Sequence, residues 1–151
     1  MITLEKILVP TDFSDHAGQA IKYACELARR FESELHLFHV VQPLTTNVSY
    51  GGPIPEVLLH PEEPAIAELE EFKAPGLEGL ERVRRIVRTG PPFLEIVRYA
   101  KEMDIDLIVM GTHGRTGLVH ALIGSVAEKV VRKSPCPVLT VRPEGHQFVM
   151  P

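Results

Sequence analysis

Apolar positions along the chain change period repeatedly. Short, nearly continuous apolar runs occur at Ile7-Leu8-Val9, Leu35 to Val41, Leu107 to Met110 and Pro137 to Val141, and Val83 to Thr89 alternates between apolar and polar residues. Each run is short and bounded by breakers or polar residues, so each is predicted as a strand. Between them the period becomes helical. Ala17, Ala20, Ile21, Ala24, Cys25, Leu27 and Ala28 predict a helix that ends near Phe31, with Asp12 or Ser14 as its candidate cap. Glu62 to Lys73 predicts a short acidic helix. Pro91 or Pro92 opens another, running to about Met103. A last helix starts at Leu122 or Ser125, reaches about Arg132, and is stopped by Ser134-Pro135.

Short, continuous apolar strands alternating with helices imply an α/β fold whose mostly parallel sheet is covered on both faces. Crossovers are expected to be right-handed. The interval from Gln42 to about Pro61 holds Gly51, Gly52, Pro53 and Pro55, and is expected to be a mobile loop. Residues 1–143 are expected to form one domain, with 144–151 as a C-terminal tail.

Composition narrows the class. The chain has 151 residues, 44% hydrophobic and 24% charged, with a formal net charge of −4. That length suits one domain with a core of its own. Scattered basic residues in an acidic chain argue against nucleic-acid binding by bulk charge. Two cysteines do not make a disulfide framework, so reduced thiols and a cytoplasmic location are expected. No signal peptide and no membrane span is expected.

The segment "MGTHGRTGLVHALIGS", Met110 to Ser125, joins the fourth strand to the last helix. Ligands of open parallel sheets bind beyond the C-terminal strand ends. Gly111 and Gly114 can let a ribose or phosphate approach bare backbone. Gly124, Ser125 and Val126 can present amides at a helix start, where an anion is favoured. Ser125 can add a hydroxyl, and His113 or Arg115 a cationic donor. The segment lacks the Gly-Lys-Ser/Thr of a Walker loop and the Gly-x-Gly-x-x-Gly dinucleotide fingerprint. A ligand-free turn into the helix fits the spacing equally well. Pro10-Thr11-Asp12 leaves the first strand. Were strands one and four neighbours, Asp12 would face the same crevice and accept a hydrogen bond from a nucleotide, unless it serves only as a helix cap.

The complete Gly-x2-Gly-x9-Gly-Ser pattern at Gly111, Gly114, Gly124 and Ser125, with "KILVPTDFS", "HVV" and "KSPCPVLTVRP", resembles the ATP-binding branch of the universal stress protein family. The likeness runs from the first strand to the fifth. It implies a three-layer αβα sandwich of the adenine nucleotide alpha hydrolase-like type, with a five-stranded parallel sheet of order 3-2-1-4-5. Strands one and four then meet at the topological switch point. The resemblance further implies that Asp12 and the Val40 backbone recognise adenine, with Pro10 and Thr11 shaping the wall. Met110 and Gly111 would lie near ribose and phosphates. His113, Gly114, Gly124, Ser125 and Val126 would hold a triphosphate, with Arg115 as a further candidate. The implied ligand is ATP, with ADP or AMP as alternatives, and Mg or Mn would be carried on the phosphates rather than in a protein cage. The chain departs from the family between Tyr50 and Gly79, where prolines interrupt the usual longer helix.

The favoured expectation is a nucleotide-dependent signalling or stress-response module with no catalytic residues. One alternative is a slow ATPase or autophosphorylating enzyme, although no Walker lysine and no general base aimed at a γ-phosphate is visible. Another is a nucleotide-free interaction module. The fifth strand, Pro137 to Val141, would be an unguarded edge that a twofold-related copy can cover, giving a homodimer; the alternative is a monomer shielded by its tail. His36 and His39 alternate across one strand and are expected to be structural. Arg82, Arg84, Arg85 and Arg88 are expected on a solvated edge or in inter-subunit ion pairs. Cys136 is expected to be an inert thiol and Cys25 a core residue.

Overall fold

The computed structural model describes residues 1–43, 52–53, 55–113, 123–145 and 150. Its elements are β1 (Lys6–Pro10), α1 (Gly18–Phe31), β2 (Glu34–Val41), α2 (Glu56–Leu59), α3 (Glu62–Glu71), β3 (Val83–Thr89), α4 (Pro92–Glu102), β4 (Leu107–Gly111), α5 (Ser125–Lys133) and β5 (Val138–Val141). A short 3₁₀ turn, Asp15–Ala17, precedes α1. All strand pairs are parallel, in the expected order β3-β2-β1-β4-β5.

The apolar runs make strands because both faces of the sheet are covered. Along β1, Ile7 and Val9 point to one face and Leu8 to the other, and all three are fully buried. Ile7, Val9, Leu35, Leu37 and Val109 pack with Ala20, Ile21, Ala24, Cys25 and Ala28 of α1, and with Leu69 of α3. Leu8, Phe38, Ile108 and Met110 pack with Ile96, Tyr99 and Ala100 of α4, and with Ala127 and Val130 of α5. Helices α1 and α3 thus cover one face, and α4 and α5 the other. Chain direction across the sheet reverses between β1 and β4, which makes that junction the switch point.

The interval expected as a loop divides. Residues 44–51 and 54 lie outside the described residues, as do 146–149 and 151 of the expected tail. Near the loop's end the chain forms the one-turn helix α2, whose Leu58 N–H donates to the Pro55 carbonyl at 2.9 Å. Proline is tolerated at a helix start, so Pro55 and Pro61 open α2 and α3 rather than breaking them. Arg82, Arg84 and Arg85 are exposed at the β3 edge of the sheet, as expected, and together with Arg88 they also bond within the chain. Arg82 and Arg84 both reach Glu34 on the neighbouring strand. Arg88 pairs with Glu102 of α4 at 3.0 Å. Arg85 donates to the carbonyls of Leu69 and Phe72, at the end of α3. Anions and orphan helix carbonyls lie on both sides of this strand, which run length and composition do not reveal.

Candidate functional site

A cleft of about 640 Å³ opens beyond the C-terminal ends of β1, β2 and β4. Its origin is visible in the hydrogen bonding. Thr11 N–H donates to the Phe38 carbonyl at 2.8 Å, toward β2. Peptides alternate sides along a strand, so the nitrogen of Pro10 faces β4. Proline has no N–H to give, and the ladder loses a donor there. In keeping with this, β1 and β4 are in register only at Ile7 with Leu107 and Leu8 with Ile108. The two strands part beyond those pairs, and the crevice lies between them.

The opposite wall is the overhang of β2. Pro10 is level with Phe38, and β2 continues through His39, Val40 and Val41. Gly90 N–H donates to the Val41 carbonyl at 2.9 Å, so Val41 and His39 turn their peptides toward β3. Val40 alternates with them and turns its N–H and C=O to the side that β1 has vacated. After Pro10 the chain makes a tight knuckle. Asp12 Oδ1 accepts the Ser14 N–H at 3.0 Å and also the Ser14 hydroxyl, and Thr11 Oγ1 accepts the Phe13 N–H at 3.1 Å. These are the side-chain turns that Asp and Thr favour. Neither Asp12 nor Ser14 caps α1. Asp12 shapes the approach to the 3₁₀ turn, and Ser14 precedes that turn with no side-chain capping bond.

On the far side, β4 ends at Gly111 and the chain returns at Gly124. Gly124 N–H donates to the Thr112 carbonyl, and Thr112 N–H donates to Val141 of β5 at 3.0 Å. The Thr112 hydroxyl meets His113 Nδ1 at 2.8 Å. Helix α5 starts at Ser125 with no side-chain capping bond from Gly124, and its first internal bond is Glu128 N–H to Gly124 C=O. The amides of Ser125, Val126 and Ala127 therefore precede the helix ladder, and all three residues line the cleft.

Each candidate residue that the structure describes lines this one cleft. Pro10, Thr11 and Asp12 come from the end of β1, Val40 from β2, Met110, Gly111 and His113 from β4 and its continuation, and Gly124, Ser125 and Val126 from the start of α5. Gly114 and Arg115 lie outside the described residues. Sequence reasoning missed Phe38, His39, Thr112, Pro92 and Ile96, which also line it. His39 carried a signal, since it begins the "HVV" strand end. Pro92 and Ile96 reach the cleft only because α4 packs on the sheet face beside it.

The glycines differ in what they allow. A Cβ on Gly124 would stand 2.9 Å from the Thr112 carbonyl oxygen, so the chain's own closure already requires glycine there. A Cβ on Gly111 would meet only the carbonyls of His16 and His113, at 3.4 and 3.5 Å. Among the described lining residues Asp12 is the single carboxylate, and no Lys or Arg occurs. Among the described residues no group of three or more His, Cys, Asp or Glu could hold a metal ion. No helix there is long and apolar enough to cross a membrane.

The other histidine of β2 serves the opposite face. His36 is fully buried. Its Nδ1 meets the Tyr99 hydroxyl at 2.7 Å and its Nε2 lies 3.1 Å from Glu34 Oε1. Burial lowers its pKa, Glu34 opposes that shift, and Arg84 and Lys6 reinforce it. Burial likewise raises both thiols, Cys25 up to about 11 and Cys136 to a lesser degree, with the Ser134 hydroxyl partly offsetting the second.

The universal stress protein family model matches residues 3–142. The chain is 38% identical over 149 residues to universal stress protein MJ0531 of Methanocaldococcus jannaschii, covering 91% of this chain and 82% of that protein. Among solved structures, protein MJ0577 of the same organism superposes with a TM-score of 0.78 at 32% identity, covering 95% of this chain and 99% of the other. Two more distant structures share the fold at 24% identity. One is a universal stress protein in complex with cAMP, with a TM-score of 0.69, covering 95% of this chain and 100% of the other. The second, from Archaeoglobus fulgidus and in complex with dAMP, has a TM-score of 0.55 and covers 93% of this chain and 98% of its own. The chain belongs to the universal stress protein family.

Proposed function

We propose that residues 1–143 act as one adenine-nucleotide-binding domain and that the cleft takes ATP, making the protein a nucleotide-dependent module in signalling or stress response. The observation that carries this reading is the pairing across one cleft of two polar backbone edges that no hydrogen bond among the described residues fills. Val40 turns a donor and an acceptor into it from β2, and the first-turn amides of α5 border it from the other side. An N–H beside a C=O complements an adenine edge, where a ring-nitrogen acceptor sits beside an amino donor. Helix-start amides complement phosphate. A volume of about 640 Å³ is within the range of small-molecule sites. Other members of the fold supply a parallel, since two were solved with cAMP and dAMP.

In this reading Asp12 and Val40 recognise adenine, with Pro10 and Thr11 as wall. Met110 and Gly111 lie along ribose. His113, Gly124, Ser125 and Val126, together with Gly114 and Arg115, hold the phosphates. Mg or Mn rides on the phosphate oxygens. Binding orders the dimer surface, where a second copy pairs along β5. Leu139 on that edge is 37% exposed. Efficient hydrolysis is not part of the reading, because the single described carboxylate in the cleft is engaged by Ser14 at the proposed adenine end. One experiment separates the functions. Incubation with ATP and Mg²⁺, followed by calorimetry and phosphate release, is expected to give saturable binding without turnover above buffer. Turnover would mark an enzyme, and no binding an interaction module.

A further inference from the structure

We infer that His39 is a positioning residue that keeps the Val40 peptide open to a nucleobase. The inference rests on the nucleotide reading of the cleft. Continuing the β1–β2 ladder by one step would bring the Thr11 carbonyl to the Val40 N–H, the regular partner in parallel pairing. The Thr11 carbonyl is instead taken by the His39 ring, whose Nδ1 lies 2.8 Å away. A carbonyl only accepts, so Nδ1 carries the proton in that contact.

The ring is held in place from its other side. Phe13 stacks on it with centroids 4.3 Å apart, and Phe72 packs on Phe13 at 5.5 Å. Phe13 has a φ of +65°, a left-handed conformation uncommon for a bulky side chain. Its place between the two rings offsets that cost. The result is a clamp on the β1 knuckle: His39 draws the Thr11 carbonyl to itself, and the Val40 N–H stays clear of the backbone acceptor nearest to it. His39 therefore acts through Thr11 and Val40, not by touching the base.

The test compares wild type with His39→Leu, which keeps bulk and loses the donor, and His39→Asn, whose amide nitrogen can occupy the place of Nδ1. ATP and GTP are titrated by calorimetry, and hydrogen exchange at the Val40 amide is followed without ligand. His39→Leu is expected to bind ATP about tenfold more weakly, with a smaller preference for ATP over GTP, as loss of about one base hydrogen bond implies. His39→Asn is expected to recover most of both. Without ligand, the Val40 amide is expected to exchange more slowly in His39→Leu than in wild type, because Thr11 can then pair with it. Wild-type affinity and base preference in His39→Leu would overturn the inference and leave the proposed function standing. If wild type binds no nucleotide the proposed function falls, and the positioning claim is then decided by exchange. Slower exchange at Val40 in His39→Leu upholds it and unchanged exchange overturns it.

Discussion

Gly124 closes directly on Thr112. Its N–H donates to the Thr112 carbonyl, and any Cβ at that position would press on the same oxygen at 2.9 Å. Gly111, on the strand leading to the same cleft, has room for a methyl group at ordinary contact distance. Two glycines of one motif are therefore constrained by different things. Gly124→Ala is expected to lower stability by about 1–3 kcal/mol, the usual cost of an overpacked site. Gly111→Ala is expected to melt within about 1 kcal/mol of wild type, since alanine suits a strand better than glycine, yet to bind ATP more weakly. Thermal melts beside calorimetric titrations check both. Unchanged ATP affinity in Gly111→Ala would remove that strand end from the site.

Asp12 has two partners in its own turn, the N–H and the hydroxyl of Ser14. Asp12→Ala is expected to reduce ATP affinity by about tenfold, comparable to loss of one charged hydrogen bond, and to leave binding of inorganic tripolyphosphate unchanged. Parallel titrations with the two ligands decide it. Equal losses for both would confine Asp12 to shaping the turn.

His36 ties stability to pH. An unfolded imidazole takes its proton near 6.5, whereas burial beside Tyr99, level with Leu8 of the neighbouring strand, holds the folded group below that value. Between the two values the unfolded chain binds more protons, so folding weakens as pH falls. The contribution is fully present above about 6.5, fades below it, and levels off once the pH is under the folded pKa. Urea midpoints measured from pH 7.5 to 5 are expected to fall for wild type and to fall less for His36→Gln. Tyr99→Phe, which strips His36 Nδ1 of its hydroxyl partner, is expected to cost about 1–3 kcal/mol at neutral pH.

The thiols are expected to be sluggish. Cys25 is fully buried with its pKa pushed up to about 11, so at pH 8 the thiolate is about one part in a thousand. Ellman's reagent at pH 8 is expected to react slowly with Cys136 and with Cys25 only after denaturation. Rapid labelling of Cys136 in the native protein would contradict the burial that raises its pKa.

Much of this architecture is legible in the sequence because the strands are pure. Ile7-Leu8-Val9 and Leu107 to Met110 are apolar on both faces, which only a doubly covered parallel sheet tolerates. Strand order is not contained in periodicity. The family likeness supplies it, and the local cause of the crevice between β1 and β4, the missing donor of Pro10, becomes visible only with the register. The cleft was readable where chemistry is concentrated, at Asp12 and along Gly111 to Val126. It was not readable where generic residues are brought in by packing, as with Ile96 and Pro92 on α4. The β3 arginines show the same limit. Their local run says "basic edge", whereas Glu34, Glu102 and the end of α3 decide what they do.

The central claim, that the cleft holds an adenine nucleotide, is tested most directly on protein purified without added ligand. It is denatured, and the released small molecules are resolved by anion exchange. The stripped protein is then refolded and titrated with ATP and Mg²⁺. Adenine nucleotide in the released fraction, or one saturable site in the titration that weakens in Gly111→Ala, is the expected result. No released nucleotide together with no binding heat from refolded protein of native stability would contradict it, and the segment from Met110 to Ser125 would then be a turn into a helix.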